Sequence, residues 1–153
     1  MPEAKKRPST SLIGAAGVHY VASELSLRGL IALPTVRNAP GIDLLVTNQT
    51  GTWHANIQVK TSGTKVGFWP ISSNYMDFKG PHNYYAFLRY LKSEARFEVF
   101  LETAQRVASD AKKDVEAAIA RGNKPWAPWW PLPRDETNLA RVRHQWATFG
   151  LGH

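Results

Sequence analysis

Asp43, Gln58 and Lys60 are the residues whose types and spacing suit chemistry. A carboxylate holds a hard divalent cation through oxygen. The side-chain oxygen of a glutamine is a second, weaker ligand. The backbone carbonyl of Val59 could complete the protein ligands. An ammonium two residues beyond Gln58 on a strand points to the same side as Gln58. Such a set can neutralise a phosphodiester and present a water to it, which is what hydrolysis of that bond requires.

The elements that must position these residues can be read from pattern. Ile42 to Asn48 and Trp53 to Thr61 read as two strands, joined by the turn signal Gln49-Thr50-Gly51-Thr52. A two-residue turn at Thr50-Gly51 sets Asp43 opposite Gln58. Asp43, Leu45 and Thr47 then share a face with Asn56, Gln58 and Lys60. The other face carries Ile42, Leu44, Val46, Ile57 and Val59 and reads as core. A bulge would move this register by one residue. Ahead of the hairpin, residues 11–29 read as a helix on the stripe Val18, Val21, Ala22, Leu25, with Ser11 as its cap and Gly29 at its end. A first strand is expected at 30–36. Tyr84 to Leu91 and Phe97 to Glu102 are two more strands, turned by Lys92 to Ala95. Thr103 to Arg121 is the clearest helix, capped by Thr103 and ended by Gly122-Asn123. Residues 124–134 are rich in Trp and Pro and read as an ordered loop, and a last helix is expected over 135–148. The order predicts a mixed α/β single domain over residues 11–153 behind a basic arm at 1–10. The arm reads as a frayed terminus or as a phosphate contact.

Pro40-Gly41-Ile42-Asp43, then about a dozen residues, then Gln58-Val59-Lys60 resembles the PD-(D/E)xK nuclease superfamily. The helix ending in Glu24-Leu25 and Arg28-Gly29 is similar to small bacterial relatives of Holliday-junction resolvases and Mrr-like endonucleases. So is the later pattern of Tyr84 to Leu88, then Phe97 to Phe100, then a helix. The resemblance covers roughly residues 11–121. It implies a restriction-endonuclease-like core, a mixed sheet flanked by helices. It further implies cleavage of DNA with Mg²⁺ or Mn²⁺, often by a homodimer. On that resemblance Asp43, Gln58 and the Val59 carbonyl hold the metal, and Lys60 orients the water or stabilises the phosphate.

Two positions depart from the family pattern. Gln58 stands where most members carry Glu or Asp. Glutamine there is known in methyl-directed restriction enzymes and some intron-encoded homing endonucleases, and it removes one negative charge from the metal site. Relatives also often place a metal-associated Glu in the first helix, where this chain has Val18. Glu24, about 240° further round the helix, is retained as a fourth catalytic candidate. Its competing reading is an i,i+4 pair with Arg28. Arg37, Thr61, Ser62 and Lys65, in the loops flanking the hairpin, are candidate DNA contacts.

Charge agrees with a polyanionic partner: 19 Lys and Arg face 12 Asp and Glu, a net of +7. The absence of cysteine excludes disulfides, thiolate zinc sites and cysteine nucleophiles. Neither a span of about 18 apolar residues nor a signal peptide is visible, which predicts a cytoplasmic protein. No Walker-type loop is found, so no nucleotide cofactor is expected. Trp126, Trp129 and Trp130 could stack on bases, bury a dimer contact or pack on their own domain. Two alternatives stay open: a decayed nuclease fold that still binds DNA, and a protein-interaction subunit of a defence or mobile-element system.

Overall fold

A computed structural model describes residues 6–36, 41–124 and 128–149. Helix α1 spans Thr10–Leu27, and its cap is Ser9 rather than Ser11. Ser9 is extended, so its hydroxyl can accept from the Leu12 N–H at 3.3 Å, whereas Ser11 already lies inside the first turn. At the other end Gly29 takes φ 85°. The Gly29 and Leu30 amides fold back to the carbonyls of Ser26 and Leu25, which satisfies two orphan acceptors.

Strands β1 (Ile31–Pro34), β2 (Leu44–Thr47) and β3 (His54–Ser62) form an antiparallel meander. The short β4 (Phe68–Pro70) follows, then β5 (Asn83–Leu91), which runs parallel to β3, and β6 (Arg96–Thr103), which runs back beside β5. The result is a mixed five-stranded sheet in the order β1-β2-β3-β5-β6. Helices flank it, as expected.

Alternation of side chains gives the sheet two apolar faces. Val21 and Leu25 of α1 pack on Leu44, Val46, Ile57, Leu88 and Leu101. On the other face, Val107 and Ala111 of α2 (Ala104–Ala120) pack on Tyr85, Phe87 and Phe100. Thr103 caps α2, accepting from the Arg106 N–H at 3.2 Å, as the sequence predicts.

Two expectations need correction on this second face. Part of the Trp/Pro segment is a strand, β7 (Trp129–Pro131), paired with β4. Trp69 and Trp130 point inward from this ribbon onto Phe87 and Phe100. A two-stranded ribbon has two free edges, so its prolines can turn their missing donors outward. The last helix, α3, spans Glu136–Val142 and stops well short of 148. Val142 belongs to the core under α2, and Trp146 to the core under α1. The chain must therefore cross the edge of the sheet between them, and no helix can do so. It crosses as a bridge from Arg143 to Phe100, with His144 at φ 50° and its amide on the Val99 carbonyl. A 3₁₀ turn, Trp146–Phe149, closes the described chain.

Candidate active site

The hairpin has the expected register, with Leu44 opposite Ile57, Leu45 opposite Asn56 and Val46 opposite Ala55, although its connection is the four residues Gln49 to Thr52 rather than a two-residue turn. The ladder breaks one residue before Leu44. The Asp43 amide donates to the Ile57 carbonyl at 2.9 Å, one residue out of step, and the Asp43 carbonyl accepts from Thr35 at 2.9 Å. β2 thus begins too late to offer an acceptor to Val59. The Asp43 carboxylate takes that place, with Oδ2 accepting the Val59 N–H at 2.7 Å. It lies at the sheet edge beside β3 rather than standing on the polar face, which corrects the simple alternation expected.

This geometry brings the Val59 backbone into the site. The N–H and C=O of one strand residue point to the same side. The Val59 carbonyl therefore also faces the gap where β2 ends, beside Asp43.

Gln58 and Lys60 lie on the sheet face covered by α2. In the parallel ladder Gln58 pairs with Tyr85 and Lys60 with Phe87. Gln58 is 6% exposed, and its amide closes no hydrogen bond among the described residues. The neighbouring Tyr85 hydroxyl is also buried without a partner, and burial pushes it up to about 12. Burying a polar group unpaired costs free energy, so the Tyr85 hydroxyl is a place on this face where a further partner could be met. Lys60 is half-buried. Its ammonium is held below the ordinary 10.5 by burial, and the Asp43 carboxylate opposes that shift.

The remaining candidates fall elsewhere. Glu24 is not brought to Asp43. Its carboxylate pairs with Arg28 at 2.6 Å and adds to the burial that raises the Tyr20 hydroxyl, on the side of α1 that meets Phe97 of β6. Val18 packs against the core beneath α1. Thr61 is turned toward α1. A Cβ on Gly17 would meet its Oγ1 at 1.9 Å, and that oxygen is buried without a partner. The Ser62 hydroxyl accepts the Thr64 N–H at 3.2 Å, and Lys65 is exposed in the same turn. Arg37 lies outside the described residues.

Sequence reasoning missed a polar chain beside the site. Asn56 donates to Asn83 at 2.8 Å, and Asn83 donates to the Phe78 carbonyl at 3.0 Å, tying β3 and β5 to the loop before β5. The signal was the pairing of β3 with β5, which a single sequence does not show. Among the described residues, no group of three or more His, Cys, Asp or Glu is placed to hold a metal ion. Any cation site here must draw on amide and carbonyl oxygens as well as on Asp43. No described helix is long and apolar enough to cross a membrane.

Neither a protein-family model nor a curated protein sequence matches the chain. Among solved structures, a bacterial homing endonuclease superposes with a TM-score of 0.51 at 14% identity, over 90% of this chain and 88% of the other. At that identity the likeness shows a shared fold and nothing more.

Proposed function

We propose that this chain is a metal-dependent DNA endonuclease of the PD-(D/E)xK type. The observation that carries the reading is the Asp43 carboxylate, seated on the Val59 amide where β2 ends, with the half-buried Lys60 close enough to feel its charge. Mg²⁺ or Mn²⁺ suits this oxygen set. Asp43 keeps one carboxylate oxygen for the cation, and Gln58 and the Val59 carbonyl add neutral ligands. Bound there, the cation supplies charge neutralisation at the phosphate and a water of lowered pKa. Lys60 would hold a water or a phosphate oxygen, and burial keeps its ammonium below the ordinary value.

DNA is the proposed substrate because the net charge is +7 and the fold neighbour is a homing endonuclease. A homodimer in the cytoplasm is the proposed working form. We assign residues 11–153 to one nuclease domain, with 1–10 as its basic arm.

A decayed, DNA-binding form of the same fold is the second reading. It is favoured by the apolar Val18 where relatives often carry a carboxylate and by the missing charge at Gln58. Cleavage of duplex, nicked, single-stranded and four-way DNA with Mn²⁺ or Mg²⁺ separates the two. Activity that disappears in both Asp43→Ala and Lys60→Ala supports the nuclease. Binding without cleavage, indifferent to Asp43→Ala, leaves only the scaffold.

A further inference from the structure

A cleft of about 490 Å³ opens between α2, β7 and α3, apart from the candidate active site. Its size falls in the range of small-ligand sites. From α2 it receives Arg106, Asp110 and Asp114, spaced four apart and therefore on one stripe of the helix. From the ribbon it receives Trp129 and Trp130, and from the approach to α3 it receives Arg134.

Arg106 and Arg134 close no ion pair among the described residues. By contrast Arg141, at the back of the cleft, is bound to the buried Glu102 at 2.6 and 3.1 Å. Trp129 is 44% exposed, and its ring neighbour among the described residues is Phe68, edge to face. The Asp110 carboxyl is pushed up, first by burial and then by Glu102. The Trp130 indole N–H lies near enough to lower Asp110, yet it is buried and meets no acceptor in hydrogen-bond geometry. The indole N–H faces Asp110, and a half-buried carboxylate in an open cleft still has lone pairs for a ligand to meet.

We propose that this cleft is a subsite for an unpaired guanine nucleotide. Trp129 stacks on the base, Asp110 accepts from the adjacent ring N–H and amino group of its Watson–Crick edge, and Arg106 and Arg134 hold the phosphate. Guanine is the base that presents two donors side by side, which a carboxylate accepts bidentately. Stacking on an aromatic ring is how proteins hold bases that have left the helix. The cleft lies on the same sheet face as Gln58. The paired row Gln58, Tyr85, Glu102 leads from one to the other, and counted from Asp43 it spans three strand spacings, about 14 Å. The subsite extends the proposed function without depending on it, since a mononucleotide needs neither cation nor scissile bond.

The test is calorimetric titration of the full chain with dGMP, dAMP and inorganic phosphate in the absence of metal. We expect dGMP to bind about tenfold or more tighter than dAMP, and phosphate alone to bind weakest. Trp129→Ala should weaken dGMP by about tenfold or more, as loss of one stacked base predicts. Asp110→Asn should erase the preference over dAMP. Arg134→Ala, on an exposed side chain, should weaken both nucleotides and serves if the Trp129 variant folds poorly. Binding of dGMP no tighter than phosphate, or unchanged in the Trp129 and Arg134 variants, overturns the subsite. A chain that cleaves DNA yet binds no dGMP overturns the subsite and spares the nuclease.

Discussion

At the scale of single residues, Asp43 has two separable tasks. It accepts the Val59 N–H, and it carries the one carboxylate proposed for the cation. Asp43→Asn keeps an oxygen for the amide and loses the charge. Asp43→Ala loses both and leaves a part-buried N–H unpaired, which costs about 1–3 kcal/mol. Urea unfolding should therefore rank wild type and Asn close together with Ala below them, while both variants lose Mn²⁺ binding. Equal stability of Asn and Ala would show that the hydrogen bond does not matter. Lys60 makes a prediction of opposite sign. Its folded pKa lies below 10.5 because burial disfavours the charged form. The unfolded chain then binds more protons between the two values, so stability rises with pH across that window. Lys60→Met should remove that rise. At neutral pH it should unfold no more easily than wild type, although cleavage is lost. A variant clearly less stable at neutral pH would mean that the ammonium is held by partners, not merely tolerated.

At the scale of elements, the seat of α1 on β3 fixes where the site lies. Gly17 meets Thr61, the residue after Lys60, so closely that a Cβ would stand 2.9 Å from the Thr61 Cβ. Gly17→Ala must push α1 off the sheet, at about 1–3 kcal/mol for overpacking. Thr61→Ala removes the nearest atom and should restore part of that loss, a coupling that a double-mutant cycle reads directly. Strictly additive costs would place the strain elsewhere. Much of this layout was legible in the sequence. The hairpin register was legible although the connection is the four residues Gln49 to Thr52, closed by the Asn48 amide on the Trp53 carbonyl, rather than a two-residue turn, and Thr103 and Gly122 bracket α2, because caps and short turns are local chemistry. What was not legible depends on distant partners. The step at Asp43 exists because Thr35 holds the Asp43 carbonyl. The ribbon is two three-residue strands containing proline, too short for any period to show. The last helix breaks because Val142 and Trp146 serve opposite faces of the sheet. Thr61 resembled a phosphate contact only because nothing in the sequence says that α1 covers it.

At the scale of the whole molecule, the sheet separates a face sealed by α1 from one that α2 and the ribbon cover over β5 and β6. The proposed chemistry lies on the second face, where β2 and β3 run out from under that cover. Leu33 and Leu45, paired in adjacent strands there, are 54% and 46% exposed. DNA engaged at Asp43 must approach from this side, past the turn that carries Lys65. Each phosphate neutralised by a lysine releases a counterion and steepens the fall of affinity with salt. Lys65→Ala should therefore weaken DNA binding uniformly across sequences and reduce the log–log salt slope by about 1. Lys112 is the matched control. It is exposed on α2, 3.8 Å from Glu116, one turn along its own helix, and such surface pairs contribute little to stability. Lys112→Ala should leave the slope unchanged. If Lys112→Ala lowers the slope and Lys65→Ala does not, DNA runs over the solvent side of α2. Asp43 would then be out of reach of the bond it is proposed to cut.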